Sequence, residues 1–433
     1  MGRRHEGPAG AANAKGRQEV NRRLLTALLW LWPQVALAAV PLTLHEAVQR
    51  AQDTHPNVLQ AQADVARAQA QLDQAKSTAL PTLGLLAQYT QLDGARMSGA
   101  TVLLPASQGY AALALTVPVL VPQRWASWRH ADDATTVAEA AQQDARWQVG
   151  VATARLWLSL LAAERQVEVL ERAKATAESH LGFAQARRTG GLGNQLDAVR
   201  AAQEAAQADA LVKANQVLLA KMAEQLAFLT ASESAVTPAG SSDLPQPPTT
   251  TNAERPVRAD VRALDQRLRA ARRVVDDSRA DWWPSVFASV TPFLQLPALP
   301  TVPNAGLQAQ VVLNLPVLEW GGRTGLRHER EAAVAQLDAQ RAGLARQIAA
   351  EERAALAAWQ AGDAALHATR EVLRWANEGL TLAQMAWKAG ATTNLDVVDA
   401  ERRARDAATA VVGAEDAVRQ AWLETLVARG VLP

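Results

Sequence analysis

The sequence contains no cysteine. That removes disulfides, thiolate metal sites, cysteine nucleophiles and an amino-terminal lipidated cysteine. Aromatics other than tryptophan are scarce, with 13 Trp against 4 Phe and 2 Tyr in 433 residues. Net charge is almost absent too. The 44 Lys and Arg face 43 Asp and Glu, which leaves no bulk electrostatic attraction to nucleic acid or to an anionic bilayer surface. Nor does any stretch of the expected mature chain reach the roughly 18 consecutive apolar residues of a membrane-crossing helix. What the chain does have is alanine, roughly a fifth of its residues and the best helix former. Such a composition fills a thick globular core poorly but suits helices packed closely through small side chains. It predicts a long-helix protein and not an enzyme.

The amino terminus reads as an export address. Arg22 and Arg23 precede the apolar run Leu24 to Trp32, which is too short for a stop-transfer helix, and Ala36-Leu37-Ala38 supplies the small-x-small pattern of signal peptidase. Cleavage after Ala38 is expected, making 1–38 a signal peptide. The competing reading, an internal amphipathic helix, is interrupted by Pro33.

The remainder is built twice. Leu80-Pro81-Thr82-Leu83 is echoed by Trp283-Pro284-Ser285-Val286, and Leu115 to Leu120 by Leu313 to Leu318. Ala184-Gln185 through Leu196-Asp197 is echoed by Ala383-Gln384 through Leu395-Asp396. These separations of about 200 residues exceed any solenoid unit and indicate duplication of a half-molecule. The expected division is a first repeat at 39–231, a Pro/Ser/Thr-rich linker at 232–257 and a second repeat at 258–433.

Each half reads helix, strand, loop, strand, long helix, turn, helix. Thr43 and Glu46 form a capping-box pattern. The runs 123–188 and 321–388 lack an internal proline, and each would make a rod of roughly 100 Å. Val149, Ala152, Leu156, Leu160, Ala163, Val167 and Leu170 step by threes and fours, as a coiled-coil seam requires. Both rods end near glycine and return from Asp197 or Asp396, giving two antiparallel hairpins.

Four short β-like runs lie between the helices, near 82–92, 109–119, 285–296 and 306–317. In the last, Leu307, Ala309, Val311, Leu313, Leu315 and Val317 alternate with Gln308, Gln310 and Asn314. Each run is about as long as a tilted outer-membrane strand. Trp125, Trp128, Trp282, Trp283 and Trp320 all fall where strand meets helix, whereas Tyr89, Tyr110 and Phe293 sit near the opposite strand ends. Two aromatic levels bracketing an apolar band suit the girdles of a membrane barrel. A soluble sheet–helix joint plugged by tryptophan is the other reading. In lipid, four strands with open edges would have to close with other protomers.

With these residues in view the chain resembles the TolC-like outer-membrane efflux proteins. The resemblance is carried by the tips Gly191-Leu192-Gly193-Asn194-Gln195-Leu196-Asp197 and Gly390 through Ala400, the strand-exit Pro-Val-Leu motifs and Glu319-Trp320-Gly321-Gly322-Arg323. It implies a mainly α fold with a small β part: a homotrimer with a helical periplasmic tunnel and a shared twelve-stranded barrel among outer-membrane lipid. It further implies a passive exit duct that docks a periplasmic adaptor served by an inner-membrane pump of RND, ABC or MFS type. For the docking tips the resemblance singles out Gly191, Asn194, Leu196, Gly390, Asn394 and Leu395. For the pore entrance it singles out Asp197, Asp396 and Asp399, with Trp387 and Thr392 where relatives carry a tyrosine–arginine lock. Since that lock is not reproduced, Arg187, Arg188 and Lys388 become candidate partners. Asp396 and Asp399 are three apart and share a helix face, and carboxylates ringing a constriction favour cations. Asp197 and Asp396 equally suit helix caps.

The seven histidines have no metal-ligand spacing, and no cofactor or nucleic-acid partner is expected. Gly190-Gly191-Leu192-Gly193 follows a helix and lacks the Lys-Ser/Thr of a phosphate loop, so it reads as a turn. A soluble periplasmic coiled-coil adaptor or scaffold is the alternative, though it would not need four amphipathic strands.

Overall fold

The computed structural model describes residues 40–99, 101–240, 256–298 and 303–432. The expected signal peptide, 1–38, and residues 241–255 of the expected linker lie outside the described residues. In chain order the elements begin with β1 (Val40–Leu42), α1 (Leu44–Thr54), α2 (Pro56–Thr78), β2 (Thr82–Gln91), β3 (Arg96–Ser98), β4 (Thr101–Leu104) and β5 (Ser107–Leu120). The first long hairpin follows as α3 (Pro122–Thr189) and α4 (Gln195–Leu229), then β6 (Val236–Pro238). The second half holds α5 (Ala259–Asp276), a 3-10 turn (Asp277–Trp282), β7 (Ser285–Leu296), β8 (Ala305–Asn314), α6 (Gly322–Lys388) and α7 (Asn394–Ala428).

Helix ends follow local chemistry. The Thr43 side chain accepts from the Glu46 amide while Glu46 reaches back to Thr43, the capping box expected for α1. Pro56 then starts α2 at a position where its missing N–H costs nothing. With no internal proline, α3 and α6 run uninterrupted for 68 and 67 residues, about 100 Å each. None of the described helices is apolar enough to cross a membrane, which says nothing of a β-barrel.

The main core sits part-way along α3. Trp157, Leu158 and Leu160 are buried there against Leu42, Leu44, Leu226, Val236, Leu423 and Val427. The Trp157 indole N–H donates to the Leu42 carbonyl at 3.0 Å. Here the structure differs from two expectations. Val236–Pro238, inside the stretch read as linker, pairs in parallel with Val40–Leu42, because its apolar valine is buried in this core. The expected seam on α3 is also too narrow. Ala152 is exposed, while Val151, Ala154, Trp157 and Leu161 are buried, since α1, α4 and α7 all pack on this stretch.

Away from the core the hairpins close through small residues. Ala177 meets Ala205 and Ala208 between α3 and α4. Polar side chains also join the first hairpin to the second. Arg155 pairs with Glu424 at 2.6 Å and Arg165 with Glu415 at 3.0 Å. Gln166 donates to Thr409 at 3.1 Å.

The four long strands form one antiparallel sheet in the order β2-β5-β7-β8. Register sorts its two faces. Leu83↔Leu115, Leu115↔Val290 and Val290↔Ala309 continue one apolar row, and Ala288↔Val311 and Val286↔Leu313 extend that face. The reverse face carries Gln88, Thr116, Ser289, Thr291, Gln308 and Gln310, with Leu86, Ala112, Ala114, Phe287, Phe293 and Val312 among its apolar residues. On the apolar face Leu85, Leu307, Val311 and Leu313 are exposed. Leu315 and Val317, expected to continue that face, lie beyond β8, which ends at Asn314 before Pro316. Between β2 and β5, the segment expected as loop also holds the short β3–β4 hairpin.

Candidate functional site

Both hairpin tips turn through glycine in the left-handed region, Gly191 at φ +74° and Gly390 at φ +79°. A side chain at either would be strained. Asn194 caps α4 by accepting from the Leu196 amide at 3.1 Å, and Leu192, Leu196 and Leu395 are exposed. On the second tip, Asp396 completes a capping box with Thr393. Its Oδ2 accepts from the Thr392 and Thr393 hydroxyls, each at 2.6 Å, and from the Thr393 amide at 3.0 Å. These donors hold its pKa down at about 2. Asp396 is therefore both a cap and a permanent exposed negative charge. Asp399 is exposed beside Arg403, 2.6 Å away, whereas Asp197 is half-buried in the first turn of α4.

Two expected surface roles are corrected. Asn394, expected on the docking surface, is only 2% exposed. Its amide donates to the Asp197 carbonyl at 3.1 Å, and its oxygen sits 2.8 Å from His180 Nε2. Its side chain is therefore a tie between hairpins. Trp387, expected at the gate, is buried with Ala184, Ala201 and Val397. His180 and Phe183 meet its ring edge-to-face at 4.8 and 5.1 Å. Arg187 donates to the Trp387 carbonyl at 3.0 Å and lies over its ring. Arg188 instead bonds Gln195 at 2.6 Å, and Lys388 lies over Phe183.

Sequence reasoning missed the charged cluster behind the tips. Glu204 on α4, 2% exposed, accepts from Arg402 at 2.6 Å and Arg405 at 2.7 Å on α7. His180 and Glu401 lie beside Asn394, with Nδ1 3.0 Å from Oε1. The available signal was a charged residue at an alanine-seam position: His180 lies between Ala177 and Ala184, and Glu204 between Ala201 and Ala208.

At the other end, Trp125, Trp128, Trp282, Trp283 and Trp320 are all left exposed, Trp320 at 95%. They do not plug the sheet–helix joint within the protomer. Tyr89 lies on the apolar sheet face, paired with Gly109. Tyr110 and Phe293 do not join it: they are paired with Gln88 and Gly306 on the reverse face and stack on each other at 6.2 Å. Their places in sequence suggested one aromatic level; strand alternation puts them on the other side.

A family model described as outer membrane efflux protein matches residues 47–232 and 253–428, most of both halves. The chain belongs to the outer membrane efflux protein family. No curated protein matches it. Solved structures agree in fold. The outer membrane protein VceC of Vibrio cholerae is 22% identical, with 90% of this chain and 96% of that one aligned at a TM-score of 0.72. A membrane protein of Pseudomonas aeruginosa is 21% identical over 91% of each chain, TM-score 0.77. The CmeC outer membrane channel of Campylobacter jejuni is 16% identical over 89% and 85%, TM-score 0.75. The chain is thus an outer-membrane efflux channel protein of the TolC-like kind, a class whose work is transport and not catalysis. Among the described residues no His, Asp and Glu cluster could hold a metal ion.

Proposed function

We propose that three copies of this chain form the outer-membrane exit duct of a tripartite efflux or type I secretion system. The sheet carries this reading. It has an exposed apolar face, a more polar reverse face and two edge strands, β2 and β8, without a partner among the described residues. Open strand edges are not tolerated in lipid, so β8 of one protomer pairs with β2 of the next, and three sheets close a twelve-stranded barrel. The apolar face meets lipid and the polar face lines water. The paired rods continue the duct into the periplasm. Their exposed tips, Gly191 to Leu196 and Gly390 to Leu395 apart from Asn394, dock the adaptor, while Asp396 and Asp399 line the entrance. Energy comes from the inner-membrane pump.

The test is the native mass of protein extracted from outer membranes, with and without detergent. A detergent-dependent trimer is the expected result. A water-soluble monomer or dimer in the periplasmic fraction would overturn the duct in favour of a coiled-coil scaffold.

A further inference from the structure

The rods of the two halves are tied together just behind the tips by a buried histidine. His180 on α3 and Glu401 on α7 have side chains only 3% and 6% exposed. Both ring nitrogens of His180 lie close to oxygens. Nε2 lies 2.8 Å from the Asn394 oxygen, whose identity is fixed because the Asn394 amide nitrogen donates to the Asp197 carbonyl. Nδ1 lies 3.0 Å from Glu401 Oε1, a charge contact off the line of a hydrogen bond, so that neither atom has a hydrogen-bond partner among the described residues. A neutral imidazole has one N–H and one lone pair, so it would turn that lone pair toward an acceptor. An imidazolium supplies both the N–H for Asn394 and a positive charge beside Glu401.

Neighbouring charges leave this pair to itself. From α4, Asp197 adds negative charge, while Glu204 is taken up by Arg402 and Arg405 of α7. Arg405 also bonds Asp406. From α6 come the Trp387 ring and Lys388, which lies over Phe183. On α3 itself, Arg187 is spent on Trp387. Among the described residues no other cation bonds Glu401, and neither of its carboxylate oxygens makes a hydrogen bond.

We propose that His180 and Glu401 form a proton-operated latch between the two hairpins, closed when the pair holds its proton and released when the proton is lost. The latch rests on the reading of the tips as the tunnel entrance. Losing the proton leaves the Glu401 charge buried without a counterion, a state that water relieves only if α3 and α7 move apart. Burial pulls the imidazolium pKa down, but the close Glu401 carboxylate and its charge, with Asn394 and Asp197, hold it above the ordinary histidine range. The contribution is therefore complete below about pH 6.5 and fades as pH rises through the raised value. An acidified periplasm tightens the entrance, and an alkaline one loosens it.

Because the chain has no cysteine, spin labels at Leu192→Cys and Ala391→Cys report the separation of the tips without background. In the full-length protein from outer membranes, the label distances should lengthen and broaden between about pH 5.5 and pH 8.5, with a midpoint above about 6.5. That step should vanish in His180→Gln. Glu401→Gln should abolish it as well, and serves if the histidine variant fails to assemble. Distances that do not change with pH would overturn the latch. So would a step that survives both substitutions, or one centred in the carboxylate range. Conductance in planar bilayers separates this from the parent reading: a conducting protein with no pH step loses only the latch, and one with the step but no conductance loses the channel.

Discussion

Asp396 carries two jobs on one carboxylate, and they can be pulled apart. Thr392 and Thr393 hold its pKa at about 2, so its charge and cap persist at neutral pH and are lost only as pH falls through that low value. If Asp396 and Asp399 line the entrance, Asp396→Asn with Asp399→Asn lowers the cation preference read from reversal potentials. Thr393→Ala weakens the cap and leaves that preference unchanged. A loss of preference in Thr393→Ala would make the effect one of helix fraying. Glu204 makes a second residue-scale case. Glu204→Gln leaves Arg405, itself nearly buried, without its full partner. A loss of about 3 kcal/mol in the stability of the helical body is expected, checked by denaturant unfolding followed by circular dichroism. The capping box at Thr43 was legible in the sequence because caps are local. The burial of Asn394 was not, since it depends on His180, 214 positions away along the chain.

Elements were the most legible level, for a physical reason. The α3 and α6 boundaries fall within about two residues of those expected, because alanine-rich stretches without proline have nothing to end them before the tip glycines. What pattern could not supply was which stretch of a rod is surrounded. The heptad on α3 fits a two-helix seam, yet Trp157 and Leu161 are buried too, because α1, α4 and α7 converge there. The first tip depends on a tight turn. A Cβ added to Gly193 would stand 2.8 Å from the Arg188 amide nitrogen. Gly193→Ala therefore shifts the turn that presents Leu192 and Leu196; if the tips dock an adaptor, it should weaken crosslinking to that adaptor while leaving total helicity unchanged. Gly182, with open space around its Cβ position, is the matched control: Gly182→Ala should crosslink normally.

At the scale of the whole molecule the proposed barrel requires one sheet face to meet lipid and the open edges to meet other protomers. Alternation along β8 showed which residues share a face, but only pairing across the sheet shows that this face continues through β7, β5 and β2. The same pairing moved Tyr110 and Phe293 to the reverse side. A consequence follows for neighbouring positions of one strand. Val311 is 73% exposed on the apolar face and Gln310 lies on the polar one. In a barrel, Val311→Arg places a charge in hydrocarbon at a cost of roughly 2–4 kcal/mol near mid-bilayer, and the yield of detergent-extracted trimer should fall. Gln310→Arg puts the same charge in the water-filled lumen, so trimer yield should hold while ion selectivity shifts toward anions. Equal yields from the two variants would mean that the strand does not separate lipid from water. A face that meets neither lipid nor lumen has no reason to discriminate between adjacent positions, so this pair of substitutions tests the barrel itself.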